Sequence, residues 1–256
     1  MPATQFENRD GDAITVLDRW FGSWRISIER RPFGAQEMCD AYDRKAAHWK
    51  ETLRRFGGER AYKKIAAQFA AQANIPGSHK RFSVLDCGAG DGAFATALAE
   101  VAPCRIDAVD VSPEMLRQAE KRYSQSGAEA TCHIADARHL PFSDNVFDVA
   151  LAAHIVEHMP EPGRALSELF RVLKPGGVLI TSLTRASLTG RLIQLKWRTH
   201  CLSRRQGEQL HSEAGFEAVQ SWRRVGVPVF DLCSIAYHAR KPDSVATCGG
   251  PMRSTA

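Results

Sequence analysis

The sequence lacks the features that mark a membrane-spanning or secreted protein. No apolar run in its 256 residues approaches the ~18 consecutive residues that a membrane-spanning helix needs, because Asp148 and His154 interrupt the most apolar stretch, 146–156. Residues 1–12 carry three acids and no apolar stretch follows them, which is the wrong pattern for a secretory signal. We therefore expect no transmembrane segment, and a cytoplasmic location is the default expectation.

The cysteines lack the spacing of a disulfide framework or a zinc ribbon. Their number, seven, is odd, and no C-x-x-C pair occurs among them. We expect buried or free thiols, because a free cysteine behaves as a small hydrophobic residue. The positions are Cys39, Cys87, Cys104, Cys132, Cys201, Cys233 and Cys248.

The overall composition is that of an ordinary globular protein. The 34 Lys and Arg against 29 Asp and Glu give a net charge of +5, and 44% of the residues are hydrophobic. A chain of this length allows one large domain with additions more readily than two full domains. No internal repeat and no low-complexity tract is present.

The hydrophobic periodicity changes near residue 83. Before it, apolar residues from Met38 to Phe56 recur at spacings of three and four, which predicts a helix that ends at Gly57. A second amphipathic helix is predicted over 62–69, before the break at 74–77. The first 35 residues show no pattern that we can assign.

From residue 82 onward, short apolar runs alternate with helical patterns. This alternation predicts βαβ units and a parallel sheet. Two later apolar runs are separated only by 226–228, which predicts an antiparallel hairpin, and helices are predicted over 187–197 and 203–214. The predicted strands are 82–86, 105–110, 130–135, 147–153, 178–183, 216–225 and 229–238.

A glycine-rich turn follows the first predicted strand. Asp86 closes the strand, and Gly88 and Gly90 allow the backbone to turn tightly against a ligand. The spacing also satisfies a relaxed dinucleotide-binding fingerprint. The turn alone therefore does not distinguish a dinucleotide from an amino-acid-like ligand. A carboxylate at Asp86 suits the amino group of an amino-acid-like ligand and would repel a pyrophosphate.

Acids also close the next two strands. Asp110 lies 20 residues beyond Gly90, where a carboxylate can accept both hydroxyls of a ribose, and this suits either ligand. Asp136 follows the third strand and is placed to accept a hydrogen bond from an adenine amino group.

These motifs resemble the class I S-adenosylmethionine-dependent methyltransferases, in particular the type 11 group that includes ubiquinone/menaquinone methyltransferases. The resemblance runs from about residue 82 to 183. It includes the segment 173–177, which precedes the fifth predicted strand. It implies S-adenosylmethionine as the cofactor, with the methionine end over the glycine turn, the ribose at Asp110 and the adenine at Asp136. The implied cofactor-binding residues are Asp86, Gly88, Ala89, Gly90, Asp110, Val111, Asp136 and Ala137.

The resemblance also implies the architecture and the reaction. We expect an α/β, Rossmann-like, seven-stranded and mostly parallel sheet with an antiparallel C-terminal hairpin and an N-terminal helical cap. The implied divisions are a cap over 1–80, a methyltransferase domain over 81–240 with a variable acceptor-cap segment at 184–202, and a tail over 241–256. The implied reaction is in-line methyl transfer to an O, N or C atom of a small organic acceptor such as a quinone, a phenol or a natural product.

A base is needed only if the acceptor loses a proton, and His154 is the predicted catalytic residue. His154, Glu157 and His158 follow the fourth strand, where open α/β sheets place ligands. Together with His200 they could instead hold a metal, as the E-x-x-E-H motif does in RNA 2′-O-methyltransferases that resemble this group. We expect no metal ligand, although that alternative stays open.

Segments outside the motifs leave the acceptor open. Residues 185–205 carry six basic side chains and no acid, interleaved with leucines. This pattern fits a solvated helix face, an anionic acceptor, a peripheral lipid surface or RNA. Tyr42 and Trp49 are expected to pack against the sheet, and the alternative is that Tyr42 lines the acceptor pocket. The rivals are an RNA 2′-O-methyltransferase and a non-catalytic cofactor-binding protein, although the modest net charge makes a nucleic-acid partner unlikely.

Overall fold

The computed structural model describes residues 14–31, 33–72, 81–222 and 224–243. The predicted helix end at 74–77, most of the predicted tail and Cys248 lie outside these residues. In chain order the elements are β1 (Ile14–Phe21), β2 (Trp24–Arg30), α1 (Ala35–Arg55), α2 (Gly58–Gln72), β3 (Phe82–Cys87), α3 (Ala93–Ala99), β4 (Cys104–Asp110), α4 (Pro113–Ser126), β5 (Glu129–Ile134), β6 (Phe147–Ala153), α5 (Pro162–Val172), β7 (Leu173–Thr184), α6 (Leu188–Trp197), α7 (Arg204–Glu213), β8 (Glu217–Trp222), α8 (Pro228–Cys233) and β9 (Ser234–Arg240).

The central sheet has seven strands in the order β5-β4-β3-β6-β7-β9-β8. The strands from β3 to β7 run parallel, whereas β9 pairs antiparallel with both β7 and β8. The predicted fold class, a mostly parallel seven-stranded sheet with an antiparallel C-terminal pair, is therefore confirmed. The order reverses beside β3, so the carboxyl ends of β3, β4 and β6 meet where such sheets bind ligands.

Helices cover both faces of the sheet, which explains why its central strands are continuously apolar. On β3, the adjacent residues Val84 and Leu85 are fully buried in different clusters, because successive side chains of a strand point to opposite faces. Val84 packs with the cluster that contains Phe69 of α2 and Phe94 of α3. Leu85 packs with the cluster that contains Leu169 of α5.

The prediction of a strand over 229–238 is wrong in its first half. Residues Pro228–Cys233 form α8, and β9 begins only at Ser234, so β8 and β9 are joined through a helix and not by a tight turn. Two local features stabilise this helix. Pro228 stands in its first turn, and the Asp231 carboxylate accepts hydrogen bonds from the backbone N–H groups of 225–227.

Residues 14–30, which sequence patterns left unassigned, form an antiparallel hairpin of β1 and β2 outside the central sheet. The six cysteines of the described residues are all free thiols. Among the described residues, no helix has the length and apolarity that crossing a bilayer requires.

Candidate active site

A cleft of about 510 Å³ lies at the carboxyl ends of β3, β4 and β5, next to the start of α1. Three carboxyl-end segments of the sheet supply one wall, and the segment after β6 supplies another. Its lining residues are Phe33, Met38, Gly88, Val109, Asp110, Val111, Ala135, Asp136, Ala137, Arg138, Ile155, His158, Met159 and Pro160.

The glycine turn after β3 is anchored to the neighbouring strand. The backbone N–H groups of Gly88 and Ala89 both donate to the carbonyl oxygen of Val109, at 2.8 and 2.9 Å. Gly88 has a φ of +68°, and a Cβ added there would lie 2.7 Å from Cβ of Ile155. Glycine is required at this position because both the backbone conformation and the close approach exclude a side chain.

Asp110 ties this turn to the end of β4. One carboxylate oxygen accepts from the N–H of Gly90 and the other accepts from the N–H of Ser112, both at 2.9 Å. Burial raises the pKa of Asp110, and these backbone donors oppose that rise. Each oxygen keeps a second lone pair, so the carboxylate can still accept a pair of ligand hydroxyls.

Asp136 is held by Arg138, two residues further along the chain. The Arg138 guanidinium donates to both carboxylate oxygens, with Nη2 lying 2.6 Å from Oδ2, and the Arg138 N–H donates to Oδ1 at 2.9 Å. Burial alone would raise the pKa of Asp136, but the hydrogen bonds and charge of Arg138 outweigh it and lower the pKa. Asp136 is therefore an ionised carboxylate. It lies at the end of the cleft where the motifs predict the adenine.

Asp86 occupies a different environment from the other two acids. It is 2% exposed, it does not line the cleft, and its Oδ2 accepts from the Tyr123 hydroxyl at 3.1 Å. Burial raises the pKa of Asp86 to about 7, although hydrogen bonds from Tyr123 and the Ala95 backbone oppose the rise. The carboxylate thus lies under the glycine turn, between β3 and α4.

His154 stands just beyond β6 with a φ of +55°. Its Nδ1 donates to Oε1 of Glu157 at 2.9 Å, and the hydroxyls of Ser182 and Ser234 both lie 3.3 Å from its Nε2. The Nδ1–H to carboxylate bond fixes the tautomer and leaves Nε2 as a hydrogen-bond acceptor. The His154 side chain is 28% exposed but does not line the cleft.

Glu157 is fully buried and ionised. Its Oε1 also accepts from the backbone N–H and the hydroxyl of Thr184, both at 2.9 Å, whereas Oε2 has no partner among the described residues. Burial would raise the pKa of Glu157, but its hydrogen bonds, first among them the one from His154, and the two neighbouring histidines outweigh this effect and lower the pKa. Glu157 therefore gives the His154 ring a fixed, charged partner.

His158 is the histidine that lines the cleft, and sequence reasoning did not select it as a site residue. Burial lowers the pKa of His158 to about 4, so this ring is neutral at pH 7. Its Nε2 lies 3.4 Å from the Tyr42 hydroxyl, and its Nδ1 has no partner among the described residues. This nitrogen is therefore a buried, unsatisfied hydrogen-bonding atom of a residue that lines the cleft.

Aromatic rings from α1 and α6 pack together beside His158. Tyr42 stacks on Trp197 with ring centroids 5.1 Å apart, and Trp49 meets Tyr42 edge-on at 5.4 Å. Trp49 also reaches the glycine turn, since a Cβ added to Gly90 would lie 3.6 Å from its Nε1. The Lys45 ammonium stands 3.6 Å from the centroid of the Trp197 ring. This aromatic cluster, consisting of Tyr42, Trp49, Trp197 and His158, covers the turn.

The structure brings most of the predicted cofactor-binding residues together at the cleft. One of them, Asp86, and the predicted catalytic residue, His154, do not line it. Gly88, Asp110, Val111, Asp136 and Ala137 line the cleft, and Ala89 and Gly90 belong to the adjoining turn. Sequence reasoning missed several lining residues. Arg138 could have been found as a basic residue two positions after Asp136, but Phe33, Met38 and Met159 carry no local signal.

The four residues considered for a metal do not form a metal site. The backbone N–H of His200 donates to the backbone carbonyl of Glu157 at 2.8 Å, so the segment of His200 lies next to the segment of Glu157. In the part of the chain that the structure describes, no three His, Cys, Asp or Glu side chains are grouped so that they could hold an ion.

The cleft residues fit S-adenosylmethionine on their own chemistry. A glycine turn without room for a Cβ atom at Gly88, a carboxylate with free lone pairs at Asp110 and an ionised carboxylate at Asp136 match an amino acid end, a ribose and an adenine in that order.

Comparisons with known proteins agree with this chemistry. Residues 85–181 match the methyltransferase domain family. A ubiquinone/menaquinone biosynthesis C-methyltransferase, UbiE, from Cupriavidus pinatubonensis is 38% identical over 109 residues, which are 42% of this chain and 44% of that protein. A demethylmenaquinone methyltransferase from Protochlamydia amoebophila is 41% identical over 107 residues, 40% of this chain and 43% of that protein. The chain thus spans less than half the length of these curated relatives.

Among solved structures, the [4+2]-cyclase SpnF has a TM-score of 0.64 and 21% sequence identity, and the match covers 83% of this chain and 98% of that protein. At this identity the likeness shows the fold alone. The family match over residues 85–181 contains the glycine turn, Asp110 and Asp136, which follow β3, β4 and β5 in that order. The family match over residues 85–181 and the names of the curated relatives therefore support a class I S-adenosylmethionine-dependent methyltransferase of the type 11 group.

Proposed function

We propose that this protein transfers a methyl group from S-adenosylmethionine to an O, N or C atom of a small organic acceptor. The observation that carries the proposal is the cleft in which Asp110 and Asp136 lie beside the glycine turn of Gly88 and Gly90. When bound, S-adenosylmethionine supplies an electrophilic methyl group on a sulfonium. Asp110 would hold the ribose and Asp136 the adenine, with Val111 and Ala137 packing along them.

The acceptor would enter beneath the aromatic cluster, between α1 and the 184–202 segment. Tyr42, Trp197 and the neutral His158 present flat rings there. Such walls favour a planar, largely apolar acceptor, because ring faces pack against rings. The names of the curated relatives refer to ubiquinone and menaquinone biosynthesis, so quinols and phenols are the first acceptor class to test.

For an acceptor that must lose a proton, we propose His154 as the general base. Glu157 accepts the Nδ1–H, so that Nε2 keeps the lone pair and would take the acceptor's proton. The resulting imidazolium would be stabilised by the Glu157 carboxylate, which is the orienting role of an acid behind a catalytic histidine. His154 would need the hydroxyls of Ser182 and Ser234 to turn away from Nε2 before it could act.

The experiment is an acceptor screen with the purified full chain and S-adenosylmethionine labelled with deuterium in the methyl group. Quinols, phenols, amines and a short RNA are incubated separately, and labelled product is detected by mass spectrometry. Labelled product from a small molecule, abolished in Asp110→Asn, is the expected result. Labelled RNA alone would replace the small acceptor with a nucleic acid, and the absence of any product despite cofactor binding would favour a non-catalytic cofactor-binding protein.

A further inference from the structure

Exposed apolar side chains are concentrated on three neighbouring parts of this protein. Ten of the thirteen large hydrophobic residues that are exposed in the described part of the chain lie on the β1–β2 hairpin, on α6 or on α8. The most exposed are Leu188 at 86% and Trp24 at 77%. Because α6 contacts both β1 and α8, these side chains belong to one region of the surface. Clustering of this kind marks an interaction site, whereas scattered exposed leucines do not.

The hairpin has one face whose apolar side chains are exposed in the described part of the chain. The register pairs Phe21 with Trp24 and places Ile26 opposite Arg19, so that Phe21, Trp24, Ile26 and Ile28 share one side. All residues from 19 to 29 are exposed. A two-stranded hairpin is marginally stable by itself in water, which indicates that this face acquires a partner.

Helix α6 presents a second apolar strip. Leu188, Leu192 and Leu195 follow one another at spacings of four and three, so they lie on one side of the helix, and all three are exposed. The opposite side is inward, since Gly190 and Gln194 are buried. The helix thus directs its leucines towards solvent, the reverse of an ordinary surface helix.

Basic groups accompany both apolar strips. Arg191 and Lys196 are exposed on α6 beside the leucines, and no acid occurs anywhere in 185–205. On the hairpin, Arg19 lies on the apolar face, and Arg25 stands over the Trp20 ring. We define the apolar-basic surface as Phe21, Trp24, Ile26, Leu188, Leu192 and Leu195 with these flanking basic residues.

The combination distinguishes between possible partners. A symmetric pair of chains would bring together two copies of the same positively charged patch, and the like charges would repel one another. RNA would satisfy the positive charges but leave the leucines and tryptophans without a partner. An anionic lipid surface satisfies both, because tryptophans and leucines enter the interface while lysine and arginine contact the headgroups.

We propose that the apolar-basic surface docks this protein peripherally on a bilayer that contains anionic lipid. The hairpin and α6 would lie in the plane of the headgroups, with Trp24 and Leu192 inserted. Trp197, the last residue of α6, belongs to the aromatic cluster over the glycine turn, so docking would bring the mouth of the acceptor site to the lipid surface.

The test is co-sedimentation of the purified full chain with vesicles of phosphatidylcholine, with or without 30% phosphatidylglycerol. Binding to the anionic vesicles, at least tenfold weaker with phosphatidylcholine alone, is expected. Leu192→Ser and the double change Phe21→Ser with Trp24→Ser should each reduce binding at least fivefold. Ile134→Ser is the matched control, because Ile134 is 67% exposed like Leu192 but lies at the far edge of the sheet on β5.

The charge component is tested with Arg191→Glu plus Lys196→Glu, against Lys121→Glu on the exposed side of α4 as control. Only the first should abolish binding to anionic vesicles. S-adenosylmethionine affinity, measured in parallel, shows whether each variant is folded. Failure of the folded wild-type chain to bind anionic vesicles would overturn the proposal. A wild-type dimer that Trp24→Ser dissociates would also overturn it, by assigning the surface to a second copy.

Discussion

The carboxylate of Glu157 holds the imidazole of His154, with 2.9 Å between Oε1 and Nδ1, although neither side chain lines the cleft. The pair connects the end of β6 to Thr184 at the end of β7, because the same oxygen accepts two hydrogen bonds from Thr184. One carboxylate oxygen therefore accepts from three donors, which holds the carboxylate and the His154 ring in position. This relationship leads to the first prediction.

Glu157→Gln should reduce kcat about tenfold for an acceptor that loses a proton, because a neutral amide stabilises the imidazolium form of His154 less than a carboxylate does. Cofactor affinity should change by less than about twofold. An unchanged kcat would contradict the proposed role of the pair.

Asp110→Asn should weaken S-adenosylmethionine binding about tenfold or more, which corresponds to roughly 1.4 kcal/mol. An amide would turn N–H donors towards the N–H of Gly90 or Ser112, so the glycine turn loses its anchor as well as the ribose its acceptor. The matched control is Asp107→Asn, which alters an acid of the same strand that binds His133 outside the cleft. Titration calorimetry of both variants checks the prediction. Equal affinities would show that Asp110 does not hold the ribose.

Tyr42→Phe should leave cofactor affinity within about twofold and raise the acceptor KM several-fold. The phenyl ring retains the stacking on Trp197, whereas the hydroxyl beside His158 is lost. Tyr237→Phe is the control, since that hydroxyl lies 3.5 Å from the Arg204 carbonyl oxygen, away from the cleft. A large loss of cofactor binding in Tyr42→Phe would assign Tyr42 to the cofactor and not to the acceptor.

Asp86→Asn should change how stability depends on pH. The pKa of Asp86 is raised by burial to about 7 from an ordinary value of 3.8, so the folded protein holds a proton that the unfolded chain releases between these values. Its contribution to stability is therefore complete below pH 3.8 and is lost as the pH rises towards 7. Urea unfolding should be measured from pH 4 to 8. Relative to the wild type, the free energy of unfolding of the variant should rise with pH by up to about 1.4 kcal/mol per pH unit in this window. A difference that is independent of pH would contradict this account.

The sequence predicted the central sheet because its signals are local. Glycines at 88 and 90, acids at strand ends and apolar runs of strand length all act within a few residues. The same logic failed at 229–238, where apolar residues continue through α8 into β9 and only Pro228 and Asp231 mark the helix. The β1–β2 hairpin alternates apolar and polar residues over Trp24–Arg30, a signal that was present but was not used.

The candidate site was predictable only in part, for a physical reason. The positions of Asp110 and Asp136 follow from the parallel strands that they close, so sequence spacing brings them to the cleft. The stacking of Tyr42 on Trp197 joins residues of α1 and α6 that are far apart in the chain, and no local pattern encodes it. The burial that makes His158 neutral depends on the same long-range packing.

The central claim is that the cleft binds S-adenosylmethionine and no dinucleotide. Calorimetric titration of the purified full chain with S-adenosylmethionine and, in parallel, with NADH tests it most directly. Stoichiometric binding of S-adenosylmethionine, weakened tenfold in Asp110→Asn and absent for NADH, is the predicted result. Binding of NADH alone would contradict the account and replace methyl transfer with an oxidoreductase function.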